Sequence, residues 1–258
     1  KALTSTYDPC EIIPLSISGN TVTVGTGKTV TYHAGDSSYP DVIYDSTNNK
    51  VVLKYLGQFA VGNVTANNLY IVSYDFDGTN FSNKKEMNVS PETSQHTFYR
   101  GLYYDSNTDR LVIIGYPRSD ANNAVIGNNV AISIGEYVSD GYYKFTDFQN
   151  AFSSSAYLLE PHISFNSQEQ TVGYIYRSYT GLNSSDPDFY QPYSYVDFKI
   201  DPDTNLIHSS EPISLDFYYS GFLTYGGYGN IYDLVYVPTE NRQVAIGATR
   251  TGASTYTG

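Results

Sequence analysis

Asp41-Val-Ile-Tyr-Asp-Ser-Thr-Asn-Asn-Lys-Val-Val-Leu-Lys-Tyr55 reads as a strand, a turn of Asp, Ser, Thr and Asn, and a second, more apolar strand. β-Branched and aromatic residues fit a pleated, half-buried surface, whereas Asp, Asn and Ser bond their own backbone in turns. Gly101-Leu-Tyr-Tyr-Asp-Ser-Asn-Thr-Asp-Arg-Leu-Val-Ile-Ile-Gly115 repeats the unit, with Tyr104, Asp105 and Ser106 in the places of Tyr44, Asp45 and Ser46, and Arg110 in that of Lys50. Two looser copies, His162 to Tyr176 and Asp233 to Gly247, keep the turn length. Self-similarity of this kind marks a repeat architecture.

The anchors Tyr44, Tyr104, Phe165 and Tyr236 lie 60, 61 and 71 residues apart, too far for one hairpin and suited to a four-stranded sheet. Each interval holds a second strand pair. Asp77-Gly78 and Asp140-Gly141 supply the positive φ that tight hairpin turns need, Asp203-Thr204 stands at the equivalent place, and Gly19-Asn20 separates two short apolar runs near the start. The prediction is an all-β fold, a single β-propeller-like domain over 1–258, with a strand pair at 11–36, blades at about 38–95, 97–156 and 159–215, and a strand pair at about 230–258. If the ends meet, the two pairs form one split blade of a four-bladed ring. If the chain continues, as its start at Lys1 and end at Gly258 imply, the same pattern belongs to a larger array. An open β-solenoid or a row of sandwiches is the alternative. Helix is confined to a turn or two within Asp147 to Leu159.

Twenty-six acidic against 14 basic residues give a net charge of −12, which repels phosphate backbones and anionic headgroups, so neither nucleic acid nor a membrane is an expected partner. Cys10 is the single cysteine, which excludes an intrachain disulfide and a cysteine metal cluster. The aromatic content is 28 Tyr and 12 Phe without Trp. Tyr serves both sheet packing and contact surfaces. Asn63, Asn80, Asn88 and Asn183 head glycosylation sequons, in a chain rich enough in Asn, Ser and Thr to produce some by chance.

The pattern Tyr44-Asp45-Ser46, three residues, then Lys50-Val51-Val52, together with the hairpin Ile17 to Thr23, resembles repeats in virion proteins of tailed bacteriophages, tail-fibre-like and adhesin-like propeller arrays above all, and in related bacterial surface proteins. The resemblance implies an extracellular or virion location. It departs from the pattern in the 71-residue interval and at Tyr236-Val237-Pro238.

In a propeller the first strand of each blade lines the axis, which here assembles Asp41, Arg100, Glu160, His162 and Asp233. Converging carboxylates with a histidine and an arginine suit a glycoside hydrolase, although no glycosidase motif accompanies them. Clustered oxygens at Asp75 and Asp77, and at Asp201 and Asp203, suit Ca2+, but neither string completes a binding loop. No other cofactor is implied. The stretches 179–195 and 217–232 carry Tyr179, Tyr190, Tyr193, Tyr218, Tyr219, Tyr225 and Tyr228 among Gly, Ser and Asn, a recognition composition suited to a surface glycan or to copies of the chain itself. The expectation is a non-enzymatic binding or assembly module, with a carbohydrate-active enzyme and a purely structural fibre subunit as alternatives.

Overall fold

The computed structural model describes residues 10–31, 40–61, 64–89, 96–118, 129–153, 157–166, 168–179, 190–201, 203–220, 228–250 and 256–257. Among them the chain is all-β, in several small, almost wholly antiparallel sheets, with one 3-10 turn at Pro238–Glu240. Contacts group the chain into two compact units, one of residues 1–113, 117–124 and 133–147, the other of residues 114–116, 125–132 and 148–258.

The first unit opens with a kinked hairpin. β1 (Cys10–Ile12) pairs with β4 (Lys28–Thr31), and β2 (Leu15–Ser18) pairs with β3 (Thr21–Val24) around Gly19, whose φ is +57°. The kink falls at Pro14, whose carbonyl accepts the Gly25 N–H at 2.8 Å. A Cβ on Gly25 would lie 2.6 Å from Pro14 Cγ, so this approach requires glycine. The first repeat follows as a meander, β5 (Asp41–Asp45), β6 (Lys50–Val61), β7 (Val64–Phe76) and β8 (Phe81–Asn88). Val30 of β4 packs with Leu53, Tyr55, Val72 and Tyr74 of this sheet.

The second repeat is β9 (His96–Asp105), β10 (Arg110–Arg118) and β11 (Asn129–Ser139), and its fourth strand is broken into β12 (Tyr142–Phe145) and β13 (Gln149–Ser153), both on β11. The third is β14 (Tyr157–Asn166), β15 (Thr171–Tyr179), β16 (Tyr190–Ile200), then β17 (Ile207–Ser209) and β18 (Ile213–Ser220), both on β16. The two breaks share one device. The Thr146 hydroxyl accepts the Ile134 N–H at 3.0 Å, and the Ser210 hydroxyl accepts the Asp197 N–H at 3.0 Å, so a side chain replaces the missing ladder partner. The fourth repeat is β19 (Tyr228–Val237) and β20 (Arg242–Arg250), with β21 (Tyr256–Thr257) at its end.

The helical turn expected within Asp147 to Leu159 is absent from the described part of that stretch, which forms β13 and the start of β14. Tertiary pairing decides the outcome: Gln149–Ser153 pairs with Asn129–Ile132, and Phe152 meets Tyr176 at 5.5 Å between ring centroids.

Second and third strands form the core. Val52, Leu53 and Tyr55, Leu111 to Ile114, and Val172 and Tyr174 to Tyr176 are buried along consecutive positions, as expected of strands covered on both faces. Each fully buried Val, Leu or Ile contributes about 1.5–3 kcal/mol, so these central strands carry most of the apolar stabilisation.

The repeated turn has its own chemistry. Asp45 Oδ1 accepts the N–H groups of Thr47 and Asn48 at 3.1 and 2.9 Å, Asp105 accepts that of Asn107 at 3.0 Å, and Asn166 accepts those of Gln168 and Glu169 at 2.9 and 3.1 Å. Each turn ends on a left-handed residue: Asn49, Asp109, Gln170 or Asn241. The hydroxyls of Tyr44, Tyr104 and Tyr236 donate to Asn49, Asp109 and Asn241 at 2.7, 3.0 and 3.0 Å. The anchor tyrosine of the sequence pattern therefore fixes its own turn.

Candidate functional site

Within the second unit the turns of the third and fourth repeats lie side by side. Asn241 Nδ2 donates to Glu169 Oε1 at 2.6 Å, Asn166 Nδ2 donates to Asn241 Oδ1 at 3.1 Å, and Gln168 Nε2 donates to the Pro238 carbonyl at 3.4 Å. Below them opens a cleft of about 390 Å3 between the β15–β16 face and the β19–β20 face. Its floor is the apolar cluster of Ile175 and Leu234 with Leu215, and Glu169, Tyr195, Asp197, Asn241 and Gln243 supply its polar wall. Arg242 stands at the rim, largely exposed and paired with Glu240.

The register explains this wall. Gly173 pairs with Asp197 and Ile175 with Tyr195, so alternate residues of both strands present one face to the cleft. Tyr195 donates its hydroxyl to Asp197, and burial together with that carboxylate pushes the phenol far above its ordinary value, so it stays protonated. A Cβ on Gly173 would fall 1.8 Å from Gln243 Oε1: the Gln243 amide occupies the space that a larger residue at 173 would take. That oxygen is buried and accepts no hydrogen bond among the described residues.

The first two repeats provide an internal control within the first unit. On the repeat register Val52 stands where the third repeat has Gly173, Ser73 where it has Asp197, and Ile71 where it has Tyr195, while Leu111 and Ile113 stand where the fourth has Gln243 and Ala245. All five are fully buried. Asn48 Nδ2 reaches Asp109 at 3.0 Å, Ser73 Oγ reaches the Gly141 carbonyl at 2.5 Å, and the Tyr143 hydroxyl reaches Asp45 Oδ2 at 2.5 Å. The seam between repeats is packed shut by large apolar residues and by β12 in one place. It is open where Gly173, Ala245 and polar side chains replace them, in a repeat that has no counterpart of β12 among the described residues.

The residues singled out in the sequence are placed as follows. Asp41 accepts the N–H of Val42 at 3.1 Å and of Leu102 at 3.0 Å, which ties the first repeat to the second. Asp233 accepts the Leu234 N–H at 2.8 Å, in the second unit. His162 is half-buried in β14 opposite Ile175. The side chains of Arg100 and Glu160 lie outside the described residues.

Tyr193 is fully buried against Ile175 and Leu234 and has no exposed surface to offer a ligand, a correction to its assignment as a contact residue. Tyr179, Tyr190, Tyr218, Tyr219 and Tyr228 are in strands, but their side chains, like the whole of Tyr225, lie outside the described residues. So do Asn63 and Asn183, while Asn80 and Asn88 are exposed.

The acidic strings are turns. Asp77 Oδ1 accepts the N–H groups of Thr79 and Asn80 at 2.9 and 2.7 Å, and Asp201 Oδ1 accepts those of Asp203 and Thr204 at 2.9 and 3.0 Å. Asp75 is held by Lys50 and Asn83, and Asp203 is exposed.

Glu169, Asp197, Asn241 and Gln243 were not singled out by the sequence pattern, because each occupies an ordinary turn or strand slot. Aligning the repeats against one another holds the signal: Gly173 and Gln243 break apolar runs that the first two repeats keep. No family model, curated protein or solved structure matches the chain.

Proposed function

We propose that this chain is a propeller-type binding module of an extracellular or virion protein, and that it holds a glycan in the cleft between its third and fourth repeats. One observation carries the reading: a seam that is packed shut in one pair of repeats holds a cleft in another, where Ala245 stands in place of a large apolar residue and Gln243 and Asp197 line the wall. A cleft with an apolar floor, a tyrosine ring and carboxylate and amide side chains along its wall matches a sugar, whose ring has an apolar face and a rim of hydroxyls.

The test is a glycan array probed with the chain and with the Gly173→Val variant, which restores the residue of the first repeat. The reading requires specific glycans retained by the chain and lost by the variant. Unchanged binding by the variant contradicts it.

A second reading, association with copies of the same chain, is favoured by the distal half of the hairpin. Leu15, Ile17, Val22 and Val24 share one face and are 63%, 75%, 58% and 65% exposed. An isolated two-stranded hairpin is marginal in water, so this face gains stability from any cover.

A further inference from the structure

The polar wall of the cleft is lopsided. Glu169 and Asp197 bring two carboxylates, which accept hydrogen bonds and donate none. Three donors of the lining already turn to the protein: the Asn241 amide to Glu169, the Asn166 amide to Asn241 and the Tyr195 hydroxyl to Asp197. Arg242, the one cation among the described residues of the lining, points its guanidinium at Glu240 with 63% of its side chain exposed, away from the carboxylates of the wall.

From this imbalance we infer that the cleft selects a cationic amino sugar, its ammonium group set against the Glu169 and Asp197 carboxylates. The inference rests on the glycan reading above and narrows it to a class. An ammonium offers three donors and a charge, and a carboxylate answers with acceptors alone, whereas a neutral hydroxyl brings an acceptor of its own that this wall does not need. Acidic sugars are excluded by the same wall and by the chain's charge of −12.

The experiment is calorimetric titration of the chain with three β-1,4-linked tetrasaccharides of glucosamine, N-acetylglucosamine and glucose, at a pH of about 5.5 where the amine is protonated and ordinary carboxylates are ionised. The expected result is that the glucosamine oligomer binds at least about 10-fold more tightly than the other two, and that this advantage shrinks with added salt as a charge contact must. The Glu169→Gln/Asp197→Asn variant, with its fold checked by thermal unfolding, then brings the three affinities to within about 2-fold. Equal affinities for the three oligomers, or a preference for the acetylated one, overturn the amino-sugar inference and leave glycan binding standing. If none of the three binds, the inference also fails, and a blank on the wider array removes the glycan reading with it.

Discussion

Asp45 shows how much a single position of the repeat does. Its buried carboxylate accepts two backbone N–H groups of its turn, the Asn48 amide at 3.0 Å and the Tyr143 hydroxyl at 2.5 Å. Removing it strands a cap and a phenol, so Asp45→Ala is expected to cost about 3 kcal/mol, against about 1–2 kcal/mol for Tyr143→Phe, both read from urea midpoints. Equal, negligible losses would show that the seam is not held there. Two tyrosines report on pH. Burial raises Tyr74 and Tyr104 from 10.0 to about 12, and the neighbouring Asp109 adds to the effect at Tyr104. Their contribution to stability is complete below the ordinary tyrosine value and is lost as pH rises through about 12. An absorbance titration of the 28 tyrosines should accordingly show a late-ionising fraction that Tyr74→Phe and Tyr104→Phe reduce. Asp75 acts at the other end of the scale. The hydrogen bonds from Lys50 and Asn83 hold its carboxyl below the ordinary 3.8, so the stability it adds is present above that value and is lost as pH falls through the depressed one. Asp75→Asn should flatten the acid limb of the stability curve. At this scale the sequence was legible as far as the turn: Tyr44 with Asp45 and Tyr104 with Asp105 announced a fixed hairpin. That Asp45 also reaches Tyr143, 98 residues away, depends on tertiary packing that no local pattern encodes.

Strands were legible where burial on both faces forces long apolar runs, as in Val51 to Leu53 and Leu111 to Ile114, and where Gly78 and Gly141 at φ of +95° and +84° mark the tight turns. The outer strands were harder. Their breaks at Thr146 and Ser210 rest on one hydroxyl each, and a lone Thr or Ser carries no periodic signal. The same lack of period let Asp147 to Leu159 pass for a helical turn. Gly173 is the element-scale test of the cleft. Gly173→Ala should destabilise the second unit by about 1–3 kcal/mol through overpacking against Gln243, and the Gly173→Ala/Gln243→Ala pair should recover most of that loss in thermal unfolding. A double variant no better than the single one would mean that Gln243 does not lie over Gly173.

For the whole molecule, the repeat was the most legible feature, and it came from comparing the chain with itself. The cleft was not, because its residues stand out only when the repeats are superposed in register. Closure of the proposed propeller predicts a radius of gyration of about 18 Å in solution scattering, the value for one compact domain of this length, and a markedly larger radius would favour an open array. The apolar hairpin face predicts that Ile17→Lys lowers any self-association seen in sedimentation velocity while leaving glycan retention unchanged. The most direct test of the central claim is a backbone amide spectrum of the labelled chain recorded with and without a retained glycan. The account predicts shifts concentrated at Asn166, Thr171, Asp197, Asn241 and Gln243. Shifts concentrated instead in residues 217–232, or around Asp41, would place the binding surface elsewhere and contradict it.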